Sequence, residues 1–240
     1  MKILLIGYGK MGKTIERLAL NQGHEVIGKV DINNCDSLVK HLEMAEVAIE
    51  FTTPDTAYNN IITCINANVP VVSGTTGWLD KYEVVVSETN RLKAAFFYAS
   101  NYSIGVNIFF ELNKYLAKMM NAFSDYNVLM EEIHHTDKKD APSGTAITLA
   151  EDVISQLDRK TSWICNEPGL ENDIGIYYKR IGKVFGIHKT QYHNDIDTIK
   201  ISHESFGREG FANGALKAAE WLLDKKGVFG MEDMLALDKL

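Results

Sequence analysis

A glycine-rich turn set directly behind a short apolar run constrains this chain more than any other feature. The run Ile3–Ile6 reads as a buried strand, and Gly7-Tyr8-Gly9-Lys10-Met11-Gly12 follows it at once. A helical pattern over Met11–Asn21 then places Ile15, Leu18 and Ala19 inward. Strand, GxGxxG and helix in that order build a cradle for a dinucleotide. Gly7 permits the tight turn, Gly9 leaves room for a pyrophosphate, and Gly12 lets helix and strand approach closely. The amides at the helix start attract the anion. A lone GxGxxG is also compatible with a plain glycine turn, so its context decides. Asp31 ends the second apolar run about 20 residues downstream, where a ribose-binding acid belongs. Ile32, Asn33 and Asn34 follow it, with no adjacent arginine to neutralise a 2′-phosphate. This favours NADH over NADPH, with Lys29 and Lys40 as the cations that could still reach such a phosphate.

The first hundred residues continue the same alternation. Val26–Val30, Val47–Phe51, Val69–Ser73 and Ala95–Tyr98 read as strands, with helical segments over Thr56–Asn66 and Leu79–Leu92. Strands separated by helices imply crossovers, hence a parallel, doubly wound α/β sheet of the Rossmann type. Ligands of such sheets sit beyond the carboxyl ends of the strands. That places Gly74-Thr75-Thr76-Gly77 and Ala99-Ser100-Asn101-Tyr102 near the nicotinamide half of a cofactor.

After Asn101 the pattern changes. Ile104–Met120 is a long helix, Tyr126–Ile133 is strand-like, and Thr145–Leu157 is helical again. Extended segments fill Gly175–His203, among them Lys183–Tyr192 and Thr198–His203, and Phe211–Leu223 returns to helical spacing. The expected organisation is a dinucleotide-binding domain over residues 1–101 and an α+β substrate-binding and oligomerisation domain over 102–212. C-terminal helices in 213–240 would pack back on the first domain. The strand-rich stretch is more sheet than so small a domain can cover, so its open face should meet other subunits.

The balance of 25 basic against 32 acidic residues, a formal net charge of -7, excludes a basic nucleic-acid footprint. Cys35, Cys64 and Cys165 are far apart and form no CxxC pair, so neither a disulfide framework nor a thiolate zinc site is expected. No run approaches a membrane span or carries a leader pattern, so a cytoplasmic location is the expectation.

The chemistry concentrates in Glu132-Ile-His-His-Thr-Asp-Lys-Lys-Asp-Ala-Pro-Ser-Gly-Thr-Ala146. Pro142 and Ser143 precede the helical pattern, and the amides of Gly144 and Thr145 should present donors to a carboxylate. Lys138 can add a compact positive charge. His134 or His135 can supply a proton near neutral pH. A solvated charge run is the competing reading of such a string. A metal site resting on both histidines is opposed by geometry, because neighbours on a strand face opposite sides.

The string His134-His135-x-x-Lys138-x-Asp140-Ala-Pro-Ser-Gly-Thr-Ala146 resembles the signature of the 4-hydroxy-tetrahydrodipicolinate (dihydrodipicolinate) reductase family. The resemblance covers nearly the whole chain. It takes in the glycine loop, Gly74-Thr-Thr-Gly77, Ala99-Ser-Asn-Tyr102 leading into Ser103-Ile-Gly-Val106, and Gly186-Ile-His188. It ends with His203…Arg208-x-x-Phe211-Ala-Asn-Gly-Ala215 and Gly227…Met231-x-Asp233-Met-Leu235. It implies NAD(P)H-dependent reduction of a cyclic dicarboxylate in lysine biosynthesis by the diaminopimelate route, performed by a homotetramer. His134 would be the proton donor and acceptor, and Lys138 a second proton donor and substrate anchor. His135, Ser143, Gly144 and Thr145 would bind substrate carboxylates. Gly7, Tyr8, Gly9, Lys10, Met11, Gly12, Asp31, Gly74, Thr75, Thr76, Ala99, Ser100, Asn101 and Tyr102 would bind the dinucleotide, and no metal is implied. The chain looks shorter than many members, and its ribose-binding acid lacks a neighbouring arginine.

Two rivals remain at this point. Another reductase of aspartate-derived metabolites lacks a use for the His-His…Lys…Pro-Ser-Gly-Thr segment, and a non-catalytic nicotinamide sensor has no use for the proton donors.

Overall fold

The computed structural model describes residues 1–237. The chain runs β1 (Lys2–Ile6), α1 (Lys10–Asn21), β2 (Glu25–Val30), α2 (Leu38–Leu42), β3 (Val47–Glu50), α3 (Pro54–Asn66), β4 (Val71–Ser73), α4 (Tyr82–Leu92) and β5 (Ala95–Tyr98). It continues with α5 (Ile104–Met120), β6 (Asn127–His134), α6 (Gly144–Ile154), β7 (Ser162–Cys165), β8 (Asp173–Arg180), β9 (Gly186–His193) and β10 (Thr198–Ser205). The last elements are α7 (Glu209–Leu222), β11 (Gly227–Phe229) and α8 (Met231–Leu235).

Two compact units result. The first joins Met1–Ile104 to the stretch from Arg208 onward, and the second is Gly105–Gly207. In the first, the strands run β11-β5-β4-β3-β1-β2, every neighbouring pair parallel. Parallel strands are covered on both faces, which explains why β1 and β3 are apolar runs with almost no alternation. One face packs Ile3, Leu5, Ile49 and Phe97 against α1 and α7. The other packs Leu4, Ile6, Val71 and Phe96 against α3 and Trp78. Each fully buried Ile, Leu or Phe contributes about 1.5–3 kcal/mol. Pro54 stands at the start of α3, where its missing N–H costs nothing, and Lys93 closes α4 in a left-handed conformation at φ 51°.

The second unit holds a mixed sheet, ordered β10-β9-β6-β8-β7. Here β6 and β9 alternate buried with half-buried residues, as a sheet with one covered face requires. The covered face packs Val128, Met130, Ile174, Ile176 and Tyr192 against Leu116 and Met120 of α5 and Leu149 and Val153 of α6.

Several expectations shift. The final segment contains a strand as well as helices, since β11 extends the parallel sheet beside β5. Residues 208–212, expected with the second domain, start α7, and Ala212 lies in the core of the first unit. The extended run expected from Lys183 begins at Gly186, because Gly182 takes φ 47° in a turn closed by Val184 N–H donating to Ile181. Residues 238–240 of the expected C-terminal helical stretch lie outside the described residues. Among the described residues no helix is long and apolar enough to cross a membrane.

Candidate functional site

In the first unit the chain passes from β1 to β2 on one side and returns to β3 on the other, so the topological switch lies between β1 and β3. Gly7 sits there at φ 94°, and a Cβ on it would stand 2.0 Å from the Phe51 carbonyl oxygen. A Cβ on Gly12 would stand 2.2 Å from the Gly7 carbonyl oxygen, whereas one on Gly9 would meet nothing within 4 Å. Only glycine fits the first and third positions, and open space lies over the second. That is the cradle a pyrophosphate needs at the start of α1.

The neighbouring loops are tied down by Glu50, which is wholly buried at the end of β3. Its carboxylate accepts from Ser73 Oγ (2.6 Å), Thr75 Oγ1 (2.9 Å), the Thr52 amide (2.9 Å) and the Thr52 hydroxyl. Thr75 is therefore buried behind Thr76, which is exposed. Tyr102 is buried as well, its hydroxyl donating to the Ser73 carbonyl at 2.7 Å and its ring against Phe51 and Phe97. These two expected cofactor residues are buried beneath the loops, while Thr76, Ser100 and Asn101 have exposed surface. Asp31 Oδ1 accepts the Asn33 amide at 2.8 Å, so it caps its own turn. Lys29 is held 2.6 Å from Glu16 and lies over the Tyr8 ring.

The second unit gathers a buried acid–imidazole cluster around β6. The period of two along Val128, Met130, Glu132 and His134 turns all four toward the covered face. Register then sets the partners. Glu132 lies opposite His188 of β9, His134 lies opposite Arg180 of β8, and His188 lies opposite His203 of β10.

Glu132 has no exposed surface. Its Oε1 accepts from the Ser143 amide (3.1 Å) and the Arg180 guanidinium (2.9 Å). Its Oε2 stands 3.0 Å from His134 Nδ1 and 3.7 Å from His188 Nε2. The 3.0 Å pair lies off the axis of a well-formed hydrogen bond. Burial by itself raises a carboxyl pKa. Here His134, His188, Ser143 and Arg180 outweigh burial and hold Glu132 far below the usual carboxylate range.

His188 Nε2 also lies 3.1 Å from Ser143 Oγ, and its ring meets His134 edge-on with centroids 5.0 Å apart. Burial lowers its pKa, and proximity to His134 lowers it further. Glu132, His134 and His188 bring three ligand-type atoms within 4.8 Å of one another. The Arg180 guanidinium on the same carboxylate opposes a cation there, so the cluster reads as a hydrogen-bonding network.

Ser143 caps α6, its Oγ accepting the Ala146 amide at 3.2 Å. With the Ser143 and Ala146 amides occupied, those of Gly144 and Thr145 remain of the orphan donors at this helix start. Gly144 is exposed, with nothing within 4 Å of where a Cβ would stand, and Thr145 is half-buried. Lys138 Nζ donates to both carboxylate oxygens of Asp140, at 2.9 and 2.7 Å. His135 follows the end of β6, half-buried, while His134 is only 8% exposed.

The structure thus groups Ser143 with His134 and shows that the ring facing His134 belongs to His188, fifty-four positions on, rather than to His135. Glu132, Arg180 and His188 were assigned no role from sequence. The signal that would have found Glu132 is an acid at an inward position of an alternating strand, which must be paired to be buried.

A parallel sheet with a glycine cradle in one unit, and a mixed sheet carrying a buried acid–imidazole cluster in the other, give the architecture of a two-domain dinucleotide-dependent oxidoreductase. The chain belongs to the dihydrodipicolinate reductase family. Residues 1–102 match the family model described as "Dihydrodipicolinate reductase, N-terminus", and residues 105–235 match "Dihydrodipicolinate reductase, C-terminus". The chain is 48% identical over 238 residues to the 4-hydroxy-tetrahydrodipicolinate reductase of Christiangramia forsetii, with 98% of each chain covered. It is 32% identical to that of Methanoregula boonei, with 99% of each covered. In fold it is similar to a dipicolinate-bound dihydrodipicolinate reductase from a Paenisporosarcina species, at TM-score 0.77 and 22% identity, covering 97% of this chain and 98% of that one. An amine dehydrogenase from Mycobacterium smegmatis is a more distant likeness, at TM-score 0.60 and 10% identity, with 95% and 94% covered. Family membership makes the protein an NAD(P)H-dependent oxidoreductase of lysine and diaminopimelate biosynthesis.

Proposed function

We propose that this protein reduces 4-hydroxy-tetrahydrodipicolinate to tetrahydrodipicolinate, with His134 moving the proton and the start of α6 holding a carboxylate. The observation that carries this reading is the buried Glu132–His134–His188–Arg180 cluster beside the open Gly144 amide. The first unit would hold the dinucleotide through Gly7–Gly12, Asp31, Gly74–Thr76 and Ala99–Tyr102, and the cofactor supplies hydride. Ser143, Gly144, Thr145, His135 and Lys138 would hold the substrate carboxylates, Lys138 exchanging Asp140 for the incoming anion. The hydroxylated ring loses water to become conjugated, and one hydride and one proton then add across it. His134 delivers that proton, with Lys138 as the second donor.

The same reading includes a cytoplasmic homotetramer formed through the open face of the mixed sheet. A monomeric mass by light scattering at working concentration would count against the assembly. Because Asp31 has no adjacent arginine, NADH should serve at least as well as NADPH. The test is an assay with freshly generated substrate, run in parallel with both cofactors. Absence of substrate-dependent loss of reduced-nicotinamide absorbance with either one would sink the proposal.

A further inference from the structure

Glu132 touches every other member of the cluster in the second unit, yet it lies too deep to reach a substrate. Its two oxygens divide the work. Oε1 is anchored by the Arg180 guanidinium and the Ser143 amide, which fixes the carboxylate in place and balances its charge. Oε2 is left facing His134 Nδ1 at 3.0 Å. A carboxylate can only accept, so its charge at this distance favours the ring proton on Nδ1 although the pair lies off the hydrogen-bond axis. His134 Nε2 then points the other way, toward Gly186, where a single methyl group would already come within 3.0 Å of it. The cluster is neutral overall while His134 is neutral, with Arg180 and Glu132 cancelling. It gains one positive charge when Nε2 takes a proton, and that charge suits a dicarboxylate held nearby.

We propose that Glu132 is the positioning residue of the proton-transfer step, holding His134 with its proton on Nδ1 and Nε2 presented for exchange. The inference rests on the reading of His134 as the proton-moving group, and it adds the device that sets that group's tautomer and charge. The ionisable groups facing His134 are Glu132 on its own strand, His188 on β9 and Arg180 at the end of β8. His203 on β10 stands beyond His188, and the Lys138–Asp140 pair follows on the loop.

The experiment is Glu132→Gln, with kcat and substrate KM followed across pH. Glutamine fills the same volume but removes the counter-charge and offers an N–H to Nδ1. We expect kcat to fall about 10²-fold with KM within about threefold of the parent value. The basic limb of the kcat profile should move, because the charge facing His134 has been removed. Glu132→Asp keeps the charge and should return the limb to its original position with part of the lost turnover. In a His134→Gln background the further Glu132→Gln change should cost less than about threefold, since a residue acting through another has nothing left to act on. An unshifted limb, an effect confined to KM, or fully additive losses would overturn the inference while leaving His134 as the proton donor. Near-normal turnover of His134→Gln alone would instead sink the underlying reading and this inference with it. Should Glu132→Gln fail to fold, nitrogen NMR of the unsubstituted protein decides. Neutral His134, assigned by its loss in His134→Gln, must carry its proton on Nδ1, and a proton on Nε2 overturns the proposal.

Discussion

Glu50 and Glu132 are both withdrawn completely from water near the carboxyl end of a strand, one in each unit, and they are satisfied in opposite ways. Glu50 is met only by neutral donors, the hydroxyls of Ser73, Thr75 and Thr52 and one amide. Glu132 is met by a guanidinium, an amide and two imidazoles. Burying a charge demands that its lone pairs be filled, and either set does that. The consequences differ. Neutral donors cannot change protonation near neutral pH, so Glu50 fixes the shape of the loops over the parallel sheet whatever the pH. Imidazoles can, so the charge around Glu132 can change with pH. One acid is a brace and the other a counterweight.

The widest separation between the two units should come from His134→Gln. If the second unit moves the proton, turnover should drop about 10²–10⁴-fold while reduced-dinucleotide affinity, measured by fluorescence titration, stays at the parent value. A parallel loss of dinucleotide affinity would break the division of labour. The converse substitution is Glu50→Ala. It strands four donors, two of them buried, so unfolding free energy should fall by about 3 kcal/mol and dinucleotide binding should weaken about tenfold, with substrate KM unchanged. Denaturant unfolding and the same titration check it, and an altered substrate KM with intact dinucleotide binding would reverse the comparison.

A smaller effect separates the units by pH. Burial lowers the pKa of His188 and of His203, and Glu132 is also held below its ordinary value. For groups whose folded pKa is depressed, the stability they contribute is complete above the unfolded value and is lost as pH falls. The two histidines should therefore begin to cost stability below about pH 6.5 and Glu132 below about pH 4.3. Urea midpoints recorded between about pH 8 and pH 4 should decline on that schedule, with probes in the second unit leading. A flat response down to about pH 5 would mean that the imidazoles are not buried as described. The smallest expected change is at Asp31. Asp31→Ala should weaken NADH a few-fold and NADPH less, and equal losses would leave Asp31 as the turn cap that its bond to the Asn33 amide already makes it.

The two regions were also unequally legible in the sequence. The parallel sheet announces itself because strands buried on both faces must be apolar throughout, and the spacing of Gly7, Gly9 and Gly12 is visible within six residues, with Gly12 tied directly to the Gly7 carbonyl. The segment from His134 to Thr145 is conspicuous for its density of chemistry, and the family resemblance is what separates it from a solvated charge run. What stayed hidden depends on register between distant strands. Nothing local at Arg180 or His188 says that they converge on Glu132, because the convergence is made by β8 and β9 flanking β6. The neighbouring Glu131 and Glu132 look alike in sequence, yet one pairs outward with Lys179 and Lys189 and the other turns into the cluster. The short strands β7 and β11, with four and three residues, carry too little pattern to stand apart from loops.

The discontinuity of the first unit has a consequence for the order in which the molecule is made. Its apolar face over β1, β3 and β5 is finished by Ala212, Ala215, Leu216, Ala219 and Leu222 of α7, and one of its two edge strands is β11. These pieces emerge from the ribosome only after the whole of Gly105–Gly207 has been translated. The contiguous middle of the chain can collapse as soon as it appears. The nucleotide-type sheet, begun first, waits with one apolar side covered only in part, by α1, until the tail arrives. During that interval it is the half most in need of a chaperone, and a truncation before Glu209 would leave it permanently sticky rather than merely inactive.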